Sequence, residues 1–284
     1  MRLSHNLSSL NAYRAYSKSL KSQSKALNNI STGNKLNKAG DHPNKVAQSE
    51  RFKLQVRALN MASRNAQDGI SMLQSAEASL DSATSQLQRL RELLIQSGGT
   101  MSDEDKVAIE GEMDQMIEGM SQAMKYNDFN GVNILVNKDV EDNKHPKSIK
   151  MPVGSDIGEE IEIPVFNFTA EALGLKDEDG NSKINLKDIN SSLELVDSAI
   201  DTVVSARSRY GAIANTFESR HEALIEIGAR IEGADSVISG ADIAEESLEF
   251  SRTNILVESG IAILAQSNRM PQDALRILEN VRSR

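Results

Sequence analysis

The chain has 284 residues, 39% hydrophobic but only 4% aromatic, with no Trp and no Cys. Lack of Cys excludes disulfides, thiolate metal sites and a cysteine nucleophile. Its apolar content of Leu, Ile, Val, Ala and ten Met suits long helices paired along narrow seams. The net charge of −9 is uneven: residues 1–60 carry eleven Lys or Arg against Asp41 and Glu50, a net +9, and the rest sums to −18. A basic arm on an acidic body fits nucleic acid, an anionic membrane, or acidic surfaces of sibling copies. No run of 18 apolar residues and no apolar signal core occurs, so neither a membrane span nor classical export is predicted.

From Leu3 the apolar positions recur three or four apart at Leu7, Leu10, Tyr13, Leu20, Leu27 and Ile30, with Ser17 and Ser24 where a seam wants apolar groups. This predicts a first helix that is marginal by itself. Thr32-Gly33-Asn34 and Ala39-Gly40-Asp41 break it, and Asp41 with Pro43 reads as the cap and first turn of a second helix. There Val56, Leu59, Ser63, Ala66, Ile70, Leu73, Glu77, Leu80, Thr84, Leu87, Arg91 and Leu94 form a heptad seam about 60 Å long. Gly98-Gly99 ends it.

Ser102 with Asp105 resembles a capping box and opens a shorter helix with the stripe Ile109, Met113, Met116, Met120 and Ala123, read as core. Between about 128 and 183 three prolines, the Asn130-Gly131 turn and the alternating Ile161-Glu162-Ile163-Pro164-Val165 predict a small β-hairpin region with an edge strand. Helix returns near Leu186, its seam running through Ile189, Leu193, Val196, Ile200, Val203, Arg207, Tyr210, Ala214, Phe217, His221 and Leu224 to Ile231. Two long seams flanking an irregular middle predict antiparallel pairing. Arg91 and Arg207 on those seams either set register or face another copy. A last helix, capped at Asp242 with Glu245, carries Ala244, Leu248, Ile255, Leu256, Val257, Ile261, Ile263 and Leu264 on more than one face, so its own N-terminal arm and something else are expected to bury it.

Catalytic chemistry has little support. His5, His42, His145 and His221 lack partners at metal or triad spacing, no Gly-rich phosphate loop follows a strand, and Glu159-Glu160 and Glu245-Glu246 read as solvated pairs. His221 reads as a helix-interface histidine. Lys18, Lys21 and Lys25 share one helical face, but no nucleic-acid-reading motif accompanies them, and no Trp or Phe marks a membrane-lying helix there.

Several runs in order resemble the bacterial flagellin family: Met1 through Ala12, Ser31-Thr32-Gly33 with Ala39-Gly40-Asp41, Arg64-Asn65-Ala66-Gln67-Asp68-Gly69-Ile70-Ser71, Gln74-Ser75-Ala76-Glu77, Gln88 through Leu93, and Asp128-Phe129-Asn130-Gly131. Ala241 through Glu246, Asn254-Ile255-Leu256 and Ala262 through Asn268 are similar to the family's closing helix. The likeness covers roughly the first 135 and last 95 residues. It departs at His42-Pro43-Asn44-Lys45, and after Asn268 the chain is longer and more charged than the family's Leu-rich ending.

The resemblance implies a mainly α, elongated antiparallel coiled-coil rod with a small β-hairpin region and paired N- and C-terminal helices. The implied organisation is a terminal domain of 1–42 plus 240–284, a rod of 43–130 plus 184–239, and a variable region at 131–183. It implies a non-enzymatic subunit, without cofactor or metal, that polymerises with itself into an extracellular flagellar filament. Terminal-arm assembly would rest on Leu3, Leu7, Leu10, Leu20, Leu27, Leu248, Ile255, Ile261 and Leu264. Rod packing and recognition by vertebrate Toll-like receptors would use Arg89, Leu93 and Glu112. Implied partners are an export chaperone, the type III export gate, and the filament cap and junction proteins, with no nucleic acid and no membrane insertion. The alternatives are a hook-filament junction protein of the same architecture and a basic-arm nucleic-acid or membrane binding protein.

Overall fold

The computed structural model describes residues 6–38, 40, 42–99, 101–137, 139–140, 143–177 and 179–282, with the side chains of 103 and 271–282 outside the description. Leu3 and the expected Asp41 cap lie outside the described residues. The elements are α1 (Leu7–Thr32), α2 (Pro43–Ser97), α3 (Asp103–Lys125), β1 (Lys147–Pro152), β2 (Glu160–Val165), α4 (Ile189–Ser239) and α5 (Ile243–Arg282). The chain forms two compact units, 1–54 with 231–284 and 55–230. Their limits fall inside α2 and α4, whereas the sequence places its boundaries at 42/43 and 239/240.

Local chemistry fixes the helix ends. The Asn6 side chain accepts the Ser9 N–H at 3.1 Å to open α1, and Gly33, at φ 69°, closes it by donating to Asn29 O. Only a residue free to adopt the left-handed region ends a helix this way without strain. At the start of α2, Pro43 occupies the first position and His42 O accepts the Val46 N–H at 3.0 Å. The Ser102 hydroxyl accepts the Asp105 N–H and in turn donates to the Asp105 carboxylate at 2.7 Å. The shorter acid thus closes the α3 capping box onto the hydroxyl itself. Helix α4 begins at Ile189, three residues later than expected, because Asp188 caps it by accepting the Ser191 N–H and hydroxyl. Those bonds hold the Asp188 carboxyl below the usual carboxylate range. Leu186 therefore lies outside the helix, although it is buried.

In the 55–230 unit α2 packs antiparallel to both α3 and α4. Ser63 meets His221, Asp81 pairs with Arg207 at 2.9 Å, and Arg91 with Asp197 at 2.7 Å. On α3, Glu112 lies 3.9 Å from Arg89, and the Asn127 amide just beyond the helix donates to Ser75 O and Ser79 Oγ. Two partners require two buried faces on α2. Alongside the expected seam, Ala62, Met72, Ala76, Ala83, Leu90 and Leu93 are buried, while Glu77 and Arg91 on that seam are exposed. The α3 stripe also differs from expectation. Ile117 and Met124 are buried and Ala123 is exposed, because the buried face keeps the four-residue step at both places.

The two strands form one antiparallel hairpin with Lys147 opposite Val165 and Pro152 opposite Glu160. Along β2, Ile163 and Val165 are buried between exposed or half-buried neighbours, as the alternation predicts. Asn130 (φ 52°) and Gly131 (φ 79°) make a two-residue turn between Phe129 and Val132, which exchange both backbone hydrogen bonds at 3.0 Å. The hairpin region shares the helical core: Ile134, Leu135, Val153, Ile163, Phe166 and Phe168 cluster with buried residues of α2, α3 and α4. Tyr210 of α4 ties it in, its hydroxyl 3.2 Å from Ile134 O and 3.0 Å from Pro164 O, its ring edge-on to Phe166. Burial pushes the Tyr210 phenol well above its ordinary range, so it remains a donor.

Candidate assembly surface

Among the described residues no group of three or more His, Asp or Glu is placed to hold a metal ion, and no helix is long and apolar enough to cross a membrane. The surface that sequence reading singles out lies instead on the paired helices α1 and α5, in the unit formed by 1–54 and 231–284. Their pairing inverts the usual order of a helical seam. The α1 residues turned toward α5 are Ser9, Ala12, Tyr16, Ser19, Gln23, Ala26 and Ile30, an unbroken alternation of three- and four-residue steps that is half-buried or buried throughout. On α5 the same steps pass through Glu246, Phe250, Thr253, Val257, Gly260, Leu264 and Ser267.

Polar and small groups therefore meet across this seam. The Asn6 amide donates to Ser267 O at 2.8 Å and the Ser9 hydroxyl to Asn268 Oδ1 at 3.1 Å. Further along, the Gln23 amide donates to Asn254 Oδ1 at 2.9 Å, and the Asn29 amide to Glu246 Oε1 at 2.9 Å. Asn29 is fully enclosed, and its own oxygen accepts from the Asn37 amide at 3.1 Å. Tyr16 packs over Gly260, where a Cβ would stand in ordinary contact, 3.4 Å from the Tyr16 side chain. The hydroxyl of Ser22 donates to Glu249, whose carboxyl is held below its usual range chiefly by the Arg252 guanidinium. At the near end, Lys35 N–H donates to Ser239 O and Ala241 N–H to Gly33 O, which fixes the antiparallel register.

Most of the leucines and isoleucines expected to serve terminal-arm assembly face outward. Leu7 is 70% exposed, and Leu10, Leu20 and Leu27 are also exposed. On α5, Leu248 is 73% and Ile255 63% exposed, with Leu256, Ile261 and Ile263 exposed as well. Leu264 alone among the described arm residues is half-buried, and it lines an open cleft with Leu7, Leu10 and Tyr13. The N-terminal arm covers one face of α5, with Phe250, Val257 and Leu264 among its small and polar residues, and leaves Leu248, Ile255, Leu256, Ile261 and Ile263 exposed. The reason is visible in the sequence, where the Ser9-Ala12-Tyr16-Ser19-Gln23-Ala26 spacing is more regular than the leucine stripe broken at Ser17 and Ser24.

The second set of expected residues separates. Arg89 and Glu112 come together at 3.9 Å, both about half exposed, and Arg89 also pairs with the more exposed Glu92 at 3.0 Å. Leu93 is only 2% exposed and belongs to the chain's own core, on the second buried face of α2. The alternatives left open at Arg91 and Arg207 resolve toward register. Reading along each helix, Asp81 precedes Arg91 and Asp197 precedes Arg207, so antiparallel pairing sets each Arg on an Asp, whereas parallel pairing would set like charges together.

Comparison with known proteins agrees with this architecture. The bacterial flagellin N-terminal helical region matches residues 3–139, and the bacterial flagellin C-terminal helical region matches residues 193–278. Similar relatives include a flagellin of Halalkalibacterium halodurans, 35% identical, and one of Bacillus subtilis, 32% identical. The flagellar filament 33 kDa core protein of Treponema phagedenis is 33% identical. Each alignment spans 98% of this chain and all of the relative. Among solved structures, a putative flagellar hook-associated protein from Vibrio parahaemolyticus superposes with a TM-score of 0.57 at 15% identity, covering 70% of this chain and 99% of that one, a likeness of fold alone. With both terminal regions matched and full-length relatives above 30% identity, the chain belongs to the bacterial flagellin family.

Proposed function

We propose that the chain is the structural subunit of a bacterial flagellar filament and that its work is non-covalent self-polymerisation rather than catalysis. The observation that carries this reading is the inverted α1·α5 pair, whose polar groups satisfy one another while Leu7, Leu20, Leu27, Leu248, Ile255 and Ile261 are left to water. Hydrogen bonds exchanged with water give a pair little net stability, but burying those apolar side chains against sibling copies gives about 25 cal/mol per Å². The arms thus order fully when the subunit assembles. The full-length relatives named as flagellins and filament core proteins support the same reading over the hook-filament junction protein.

The finer expectations follow from the family. The filament lies outside the cell, the subunit leaves through the flagellar type III export gate without a cleaved signal, and a chaperone covers its apolar arms before export. Cap and junction proteins contact the two ends of the polymer. Arg89 and Glu112 form the exposed part of a face for neighbouring subunits and for vertebrate Toll-like receptors, with Leu93 supporting it from beneath. The experiment is electron microscopy after seeding or salting out, comparing the full chain with a variant lacking residues 1–40 and 242–284. Long tubular filaments from the full chain alone support the reading; a full chain that stays a small oligomer removes it.

A further inference from the structure

Sulfur in this chain is all thioether, since it has ten Met and no Cys. The described methionines fall into three groups. Met72, Met113, Met120 and Met124 are buried in the core, and Met61 and Met270 are more than half exposed. Met101, Met116 and Met151 lie between, half-buried and packed against the core.

Met151 is set apart by what its sulfur fills. On β1 the exposed Lys150 reaches Glu160 and Glu162 at 3.4 and 3.6 Å, so strand alternation turns Met151 the other way, toward α2. There its Sδ enters the notch at Gly69, 3.0 Å from where a Cβ would stand, and the Phe217 ring comes within 2.8 Å of the same point. Sulfur and ring thus share one apolar space, a favourable contact for a soft thioether. One residue on, the Asn65 amide of α2 donates to Pro152 O at 3.0 Å. These two contacts hold the end of β1 on α2, and the first depends on the sulfur staying apolar.

Oxidation removes that condition. When hydrogen peroxide attacks a thioether, an S–O bond forms and the O–O bond breaks. The sulfur gives up two electrons, and the proton on the transferred oxygen passes to the departing hydroxide, which leaves as water. The sulfoxide brings an extra heavy atom and a strong acceptor to a place with no room for a methyl. Between Gly69 and Phe217 it meets aromatic carbon rather than a donor, and an unpaired buried acceptor is unfavourable. At Met61 and Met270 the same oxygen stays in water.

We propose that Met151 is an oxidative modification site that takes one oxygen from a peroxide, and that its sulfoxide releases the end of β1 from α2. Half-buried, it reacts more slowly than Met61 and Met270 and faster than the four core methionines. The inference is independent of the filament reading, because it concerns the 55–230 unit within a single chain.

The test treats the full chain with graded hydrogen peroxide, locates each sulfoxide by peptide mass spectrometry, and follows amide exchange across β1 and β2. Met61 and Met270 are expected to oxidise without effect on the hairpin, whose protection then falls about tenfold as Met151 is oxidised. Met151→Leu, which keeps the volume, is expected to hold its protection at the same dose. Wild-type chain returned to the thioether by the two methionine sulfoxide reductases is expected to regain protection, an arm that needs no variant. A Met151 that stays unmodified until the whole chain unfolds would overturn the proposal. So would a Met151 sulfoxide with an unchanged hairpin, a Met151→Leu chain that loosens as wild type does, or protection that stays lost after Met151 is reduced.

Discussion

Gly69 shows how tightly single positions are specified. A Cβ there would lie 2.8 Å from the Phe217 ring and 3.0 Å from Met151 Sδ, so the glycine is a notch in α2 that admits a ring from α4 and a thioether from β1. Gly69→Ala is expected to destabilise the 55–230 unit by about 1–3 kcal/mol despite alanine's better helix propensity, measured by urea denaturation. An unchanged midpoint would mean that the ring moves aside freely. Leu93→Ala is expected to cost about 2–5 kcal/mol, the range for a buried leucine, and to weaken any surface contact only through that loss. Tyr210→Phe keeps the ring against Phe166 and removes the one hydroxyl proton shared by Pro164 O and Ile134 O, the latter keeping the Phe166 N–H, at a cost of about 1 kcal/mol, read by urea denaturation. A glycine inside a helical pattern reads in sequence only as a weak point. Its role as a notch depends on Phe217, far along the chain, and so was visible only in the fold.

At the scale of elements, α2 and α4 were legible because their heptads are long and each finds its partner within the chain. The second buried face of α2 was harder to see, since its alanines are not conspicuous among so many small residues and α3 must be in place before they become core. The ion pairs between the two long helices are partly exposed, so each contributes little stability and acts chiefly on orientation. Asp81→Arg alone should lower stability by about 0.5 kcal/mol or less by leaving Arg207 beside a like charge, and Asp81→Arg with Arg207→Asp should restore it. A double variant no better than the sum of its parts would show that the pair carries no orientation. The α1·α5 pair went the other way. Its seam mixes Ser, Ala, Gln and Thr with Tyr16, Ile30, Phe250, Val257 and Leu264, while most of the leucine stripe stays outside it, so the apolar spacing of the leucines did not locate the pairing face.

For the whole molecule, the account is that one compact unit holds its own core and the other holds its apolar surface out for sibling copies. The first has buried Leu, Ile, Met, Phe and Tyr in one continuous cluster. The second buries Ala26 and the polar Asn29, Thr253 and Ser267, and exposes most of its leucines and isoleucines. The monomer should therefore lose amide protection first in α1 and α5, with the 55–230 unit protected longest, as read by hydrogen–deuterium exchange. Uniform protection along the chain would contradict that ordering.

The most direct measurement uses the absence of native cysteine. Ile255→Cys places a single thiol on the outward face of α5, and its rate of alkylation by a maleimide is compared between monomer and sedimented polymer. The account predicts fast reaction in the monomer and protection by about tenfold or more in the polymer, as a neighbouring copy covers the face. A thiol that reacts equally fast in both states would contradict the claim that this apolar surface is the one the subunits bury on assembly.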